Sequence, residues 1–411
     1  MNFRRKGVVL LTVVVLLFFL PAIGLAVPKF IIKPKFSTSW RLDSNFWKSE
    51  RDEREVYTYL FQPGIDLGFK TAKTKILLDY TFDIHRYDDG DSVPFGARSA
   101  SDEDFNGHTL IFQSRHKFSK RLTLGLDDSY YKTRDPAESD RFDDSISRQK
   151  YFVNRITPML YYDFGEKFTL QLRYRNTVYD YKGIGGDYDD SDEHRGMFDL
   201  IYHFSRTASF DFEYQHWQKD YDVVTSDYKS DQINLIFNKE FKFFTFGAGG
   251  GYHERDFDNS ALSDVHVWNY VISVLAEKEG REEDSPPRSY IRLSTERNFN
   301  DQALGDRYFI ATTYTLDMGR VFKEKIKLDI TAYYQNSDYK VGRGLTSGGN
   351  IALRDDDIYH ISADIGYIFN DWLTFTITGG YKDRESNWRG YDYLNKYVIA
   401  KIDFRYDLGR K

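Results

Sequence analysis

The amino-acid sequence predicts an all-β fold: a transmembrane up-and-down antiparallel β-barrel of about 18 strands (16–18), preceded by a cleaved signal peptide. Three observations predict it. Alternate residues are apolar along most of the chain, and the links between these segments are short and long by turns. The third is compositional: 32 tyrosines and 33 phenylalanines occur in a chain whose mean hydropathy is −0.60. A barrel that shows rings to lipid on one face of each strand and charge to water on the other combines these without an apolar core.

The N-terminus comes first. Arg4, Arg5 and Lys6 precede an apolar run from Val8 to Leu20, and Gly24 and Ala26 stand at the −3 and −1 positions of a cut after Ala26. These are the parts of a secretory signal peptide. The run is shorter than a membrane-spanning helix, and no later stretch approaches the 18 or so apolar residues one needs. Residues 1–26 are therefore read as the signal and 27–411 as the barrel. Removing the three signal cations moves the formal charge from −6 to −9 (−6 − 3 = −9), which weighs against nucleic acid as a partner. With no cysteine, disulfides, thiolate metal sites and a lipid-modified cysteine are excluded. Nothing in the chain asks for a cofactor.

Strands are expected near 36–42, 56–69, 75–87, 107–118, 122–131, 150–163, 168–181, 195–204, 209–217, 232–238, 243–253, 265–276, 288–297, 307–318, 325–335, 357–369, 372–382 and 395–408. The seventh shows the pattern: Phe168, Leu170, Leu172 and Tyr174 alternate with Thr169, Gln171, Arg173 and Arg175. Side chains two apart share a face of a strand, so one face is apolar and the other polar. The second strand repeats this with Tyr57, Tyr59, Phe61, Ile65, Leu67 and Phe69, and the last with Val398, Ala400, Ile402, Phe404 and Tyr406.

Short links include "SKR" at 119–121, "GEK" at 165–167, "SRTA" at 205–208 and "ND" at 370–371. Long ones, rich in Asp, Gly, Ser and Asn, cover 88–106, 132–149, 182–194, 218–231, 336–356 and 383–394. One link on the short side is out of pattern, "EKEGREEDSPP" at 277–287. A soluble sandwich has no reason to sort its loops by parity and has far fewer strands. Outer-membrane barrels do, with turns in the periplasm and loops outside. Trp40, Tyr130, Tyr174, Trp268 and Trp372 fall near strand ends, as interfacial girdles require. Closure leaves no unpaired edge in hydrocarbon, and at 16–18 strands the interior is too wide for side chains to fill.

The inward phase supplies the candidate site. Arg155, Arg173, Arg175 and Arg195 fall on one stretch of wall, with Asp66, Asp79, Asp83, Asp127, Asp211 and Glu213 on strands before and after it. Such walls either set up a transverse field that orients ionic solutes or form cross-strand ion pairs that merely solvate the lumen. The acidic runs "YDDGD" at 87–91, "SDEDF" at 101–105, "DYDDSDE" at 187–193 and "LRDDDIY" at 353–359 lack the ligand spacing of a calcium loop. They read as solvated loop charge, or as loose divalent bridging to lipid headgroups. Gly247, Gly249, Gly250 and Gly251 lie within a strand pattern without the Lys-Ser/Thr of a phosphate loop, so a bulge or the close approach of a plug is expected there. "GRGLTSGG" at 342–349 reads as a flexible loop tip. His85, His203, His253 and His360 are inward, but no GxSxG or HExxH motif accompanies them and no catalytic or metal residue is assigned.

The segments "PKFSTSWRLDSNFW" at 34–47 and "YLFQPGIDLGFKTAKTKILLDYTFDIHRY" at 59–87 resemble the first hairpins of the beta-barrel porin 2 group of outer-membrane proteins. The resemblance implies an outer-membrane barrel of a Gram-negative envelope, in some members associated with exopolysaccharide systems, and carries over no functional residue. One departure concerns the end: such barrels commonly finish on an aromatic residue that the insertion machinery reads, whereas Phe404 and Tyr406 are followed by "DLGRK". The first expectation is a porin-like channel or export pore for polar solutes or polysaccharide. A plugged structural or docking barrel of a surface polysaccharide or secretion assembly is the alternative, and a barrel hydrolase the third. Outer-membrane lipid, the barrel insertion machinery, and polysaccharide or small polar solutes are the expected partners.

Overall fold

The computed structural model describes residues 28–409 apart from 52, 134–149, 183–189, 223–226, 260–261, 279–287, 301–307 and 341–343. The expected signal peptide lies outside the described residues. Twenty strands follow one another: β1 (Lys29–Asp43), β2 (Val56–Lys70), β3 (Thr74–Asp89), β4 (Phe105–Lys117), β5 (Leu122–Thr133), β6 (Lys150–Asp163), β7 (Phe168–Lys182), β8 (Ser191–Ser205), β9 (Ala208–Tyr221), β10 (Tyr228–Glu240), β11 (Thr245–Phe257), β12 (Val265–Lys278), β13 (Ser289–Asn300), β14 (Phe309–Phe322), β15 (Ile326–Tyr339), β16 (Gly344–Leu345), β17 (Ile351–Ala352), β18 (Asp355–Asn370), β19 (Leu373–Ser386) and β20 (Tyr393–Arg405). Eighteen of them form one antiparallel sheet in which each pairs with its chain neighbours and β20 pairs with β1. The sheet is a closed transmembrane up-and-down barrel, and β16 with β17 makes a small separate hairpin in the loop between β15 and β18.

Alternation sets the two faces. Phe36, Phe61, Leu67, Phe168, Leu172, Phe212, Leu235, Ile272, Leu293, Ile365, Ile377 and Ile402 all stand exposed on the outside. An apolar surface of that extent is stable against acyl chains and not against water. The polar phase lines the lumen. Strands of 12–16 residues exceed the 9–11 needed to cross the hydrocarbon, so their ends project beyond it.

Three corrections to the sequence reading are physical. First, β1 starts at Lys29, well before 36, because Pro34 does not interrupt it. Its carbonyl accepts from the Tyr406 amide (3.1 Å), so its missing N–H would have faced the same side, beyond the end of β20, where the ladder is sparse. Asp407 and Leu408 of the "DLGRK" tail follow the same edge. Leu408 donates to the Ile32 carbonyl (3.0 Å) and Asp407 pairs with Lys33 (3.3 Å), so residues after β20 continue along β1.

Second, no register shift occurs at the β11 glycines. A Cβ on Gly251 would lie 1.8 Å from the Ile233 carbonyl oxygen and 2.4 Å from Asn234 Oδ1. Asn269 donates to Asn234 across that gap (2.9 Å). The glycines yield their space to residues of the flanking strands β10 and β12, in place of the expected bulge or plug. Third, "GRGLTSGG" is partly folded: Leu345 pairs with Ile351, and Trp388 Nε1 donates to the Ala352 carbonyl (2.9 Å).

Candidate functional site: the barrel lumen

With strands about 4.8 Å apart and tilted about 40°, eighteen of them close at a radius of roughly 18 Å to the backbone. An arginine reaching inward spans roughly 7 Å of that from its bond lengths. Side chains from opposite walls therefore do not meet, and the lumen has an aqueous centre unless a loop enters it.

All of the charged residues singled out from the sequence fall on the inward phase, and each finds its place in one of three groups. The first is the basic wall. Arg155 on β6, Arg173 and Arg175 on β7 and Arg195 on β8 stand on adjacent strands, with Arg175 directly opposite Arg195 in the register. Arg175 and Arg195 share Glu193, each at 3.0 Å, and Glu193 is the register partner of Lys219. Arg173 bonds to Asp199 at 2.5 Å. The Arg195 guanidinium also lies over the Trp217 ring, 4.0 Å from its centroid. Arg155 has no hydrogen bond or ion pair among the described residues, and its Nε, with those of Arg173 and Arg175, donates to nothing.

The second group is acidic and flanks this wall. Asp211 accepts from Asn238 (2.6 Å) and Ser209 (2.9 Å), and Glu213 accepts from Asn234 (3.2 Å). On the other flank Asp127 receives both guanidinium nitrogens of Arg115 (2.6 and 2.8 Å). Asp83 is held by Gln62 (2.7 Å) and Thr109 (3.3 Å). The third group sits at the turn end of the seam. Lys35 bridges Asp66 (3.2 Å) and Asp79 (2.5 Å), and Arg405 reaches Asp66 (2.5 Å).

These acids lie beside the basic wall or at the seam, not across from it. The strand nine places from β7 in a ring of 18 is β18. There, and on neighbouring β14 and β15, stand Asp317, Asp329 and Asp364, which the sequence reading passed over, while Asp356 on the same face of β18 is paired with Arg354 and Arg384 near the loop end. Thr331 donates to Asp317 (3.0 Å), while Tyr290 (3.0 Å) and Lys327 (2.8 Å) hold Asp329. Asp364 has no hydrogen bond or ion pair among the described residues. Gly319 makes room for this arrangement, because a Cβ there would fall 2.2 Å from Asp329 Oδ1 and 2.4 Å from the Tyr290 ring. The facing acids could have been found by counting half the circumference from β7 along the inward phase.

At the loop end, part of the mouth is packed with rings. Arg255 is buried between Tyr228 (4.1 Å to the centroid) and Phe299 (5.2 Å), in a cluster with Trp217, Phe257 and Tyr308. Burial there pushes the Tyr308 hydroxyl, just outside β14, up to about 12 against the opposing influence of Arg255. Of the inward histidines, His253 bonds to Asn298 (2.7 Å) and His360 to Tyr397 (3.0 Å), each as part of the wall packing.

No family model matches the chain, and no curated protein matches it. Among solved structures it is similar to OccAB4 of Acinetobacter baumannii, with 10% identity, 92% of this chain and 98% of that chain covered, and a TM-score of 0.47. The outer membrane protein OpdK of Pseudomonas aeruginosa gives 10% identity, 92% and 99% coverage and a TM-score of 0.47. OccK8 (OprE) of the same organism gives 12%, 92% and 98%, and 0.46.

Proposed function

We propose that the protein is a porin-like channel of the Gram-negative outer membrane that passes small polar and ionic solutes. One observation carries this reading: a basic wall on β6–β8 faces an acidic wall on β14–β18 across a lumen too wide for side chains to fill. A dipolar or charged solute entering between them is turned and held in single orientation, as electrostatic focusing in a cleft requires. The resemblance of the first hairpins to the beta-barrel porin 2 group supports the location, and with it polysaccharide as a second class of cargo. The decisive test is single-channel recording of refolded protein in a planar bilayer, with reversal potentials in a salt gradient. Discrete steps whose ion selectivity moves when Arg173 and Arg175 become Gln support the channel; unchanged selectivity removes the transverse field.

A second reading, a plugged structural barrel, is favoured by the ring cluster around Arg255 at the mouth. Silence in the bilayer that is relieved when Tyr228 and Phe299 are cut back to Ala would support it.

A further inference from the structure

The described turns carry more exposed cations than acids, the acids being Glu166, Glu324 and Asp371, of which Glu324 pairs with Arg288 (3.5 Å). Lys73 lies between β2 and β3, Lys120 and Arg121 between β4 and β5, and Lys167 between β6 and β7. Arg206 lies between β8 and β9, Lys242 between β10 and β11, and Lys323 between β14 and β15. All are exposed, and none has an ion pair among the described residues. Exposed phenylalanines sit beside them: Phe118 (50%), Phe164 (54%), Phe243 (74%) and Phe322 (40%). Lys242 lies 5.2 Å from the Phe243 centroid and Arg320 4.9 Å from that of Phe322.

The loop-side girdle is built differently. Three of its outward carboxylates are occupied: Asp231 by Tyr214 (2.6 Å) and His216 (3.0 Å), Asp357 by Tyr334 (2.7 Å), and Asp383 by Tyr381 (2.8 Å). Among the described residues the turn-side rim thus keeps a surplus of unpaired positive charge above a ring of apolar anchors.

We propose that the turn-side rim binds the phosphate groups of anionic phospholipids in the leaflet it faces. Phenylalanine fixes depth at the interface, and the ammonium and guanidinium groups just beyond it stand at headgroup level. Basic residues near an anionic membrane surface each add to affinity, within a Debye length and subject to salt. The rim binds whether or not the lumen conducts.

Trp372 is the tryptophan between β18 and β19, on the turn side, and it reports on this leaflet. The test uses the full barrel with Trp40 and Trp268 changed to Phe, reconstituted in phosphatidylcholine with brominated phosphatidylglycerol or brominated phosphatidylcholine. Brominated phosphatidylglycerol is expected to bind roughly fivefold more strongly at low ionic strength, the preference fading as salt is added. Replacing Lys73, Lys120, Arg121, Lys242 and Lys323 with Gln abolishes the preference, while Gln at the loop-side Lys132, Lys229 and Lys396 leaves it. Equal quenching by both lipids, or a preference that survives the rim substitutions, overturns the proposal, and capture of an acidic periplasmic protein by a rim without lipid preference does so too. If the fivefold variant fails to insert, Lys120→Gln with Arg121→Gln decides the matter through a partial loss.

Discussion

The basic wall and the acidic wall carry opposite charge, yet they are held in place by different means. On β6–β8 the arginines are seated on carboxylates: Glu193 beneath Arg175 and Arg195, Asp199 beneath Arg173. On β14 and β15 Asp317 and Asp329 rest on the hydroxyls of Thr331 and Tyr290, with Lys327 as the one cation at these two groups among the described residues. The walls do not stabilise each other. Across about 20 Å of water a pair of unit charges gains only about 0.2 kcal/mol, before screening over a Debye length of about 8 Å. Each wall must therefore be satisfied locally, and the field between them acts on whatever enters rather than on the fold. Arg155 and Asp364, which have no local partner, are the charges most available to a solute.

The comparison can be broken most severely at Glu193. Glu193→Gln leaves Arg175, Arg195 and Lys219 crowded around a neutral amide, and about 3 kcal/mol of stability is expected to go, read from the urea midpoint of the refolded barrel. A loss no larger than that of an exposed carboxylate would show that the basic wall does not need its seat. Next comes Gly319→Val on the opposite side, which drives a side chain into Asp329 and Tyr290. We expect about 2 kcal/mol from the same measurement, with cation selectivity reduced as the carboxylate moves. Tyr290→Phe is smaller, about 1 kcal/mol, because it removes one hydrogen bond to an ionised group that keeps Lys327. Last, Arg155→Gln and Asp364→Asn should each change stability by less than about 0.5 kcal/mol while shifting the reversal potential in opposite directions. Shifts of the same sign would mean that the two walls do not face one aqueous path.

Much of the fold was legible because a strand's period is two residues and the chain keeps it nearly everywhere. All eighteen barrel segments overlap the stretches alternation picked out, and Arg155, Arg173, Arg175, Arg195, Asp79, Asp83, Asp127, Asp211 and Glu213 lie on the face opposite the exposed apolar side chains. What alternation cannot give is angular position around a ring. Asp127 and Asp211 look opposed to the arginines in a linear reading, but strand neighbours become wall neighbours and only a distance of half the circumference makes a facing pair. The β16–β17 hairpin was also hidden, since it is made by Trp388 binding Ala352 across another loop rather than by a local pattern.

The seam between β1 and β20 has a consequence for how the molecule is made. Asn45 and Asn395, 350 residues apart, bond at 3.0 Å, and Asn395 reaches on to Asp43 at 2.9 Å. Drawing such distant points of a chain together costs about 5 kcal/mol in configurational freedom. The ladder at that junction joins the first and last strands of the sheet, so it is the longest-range pairing the fold has to make. The closing weld is correspondingly cooperative: the amide clasp at the loop end and the Lys33–Asp407 contact at the turn end form only when both margins arrive together.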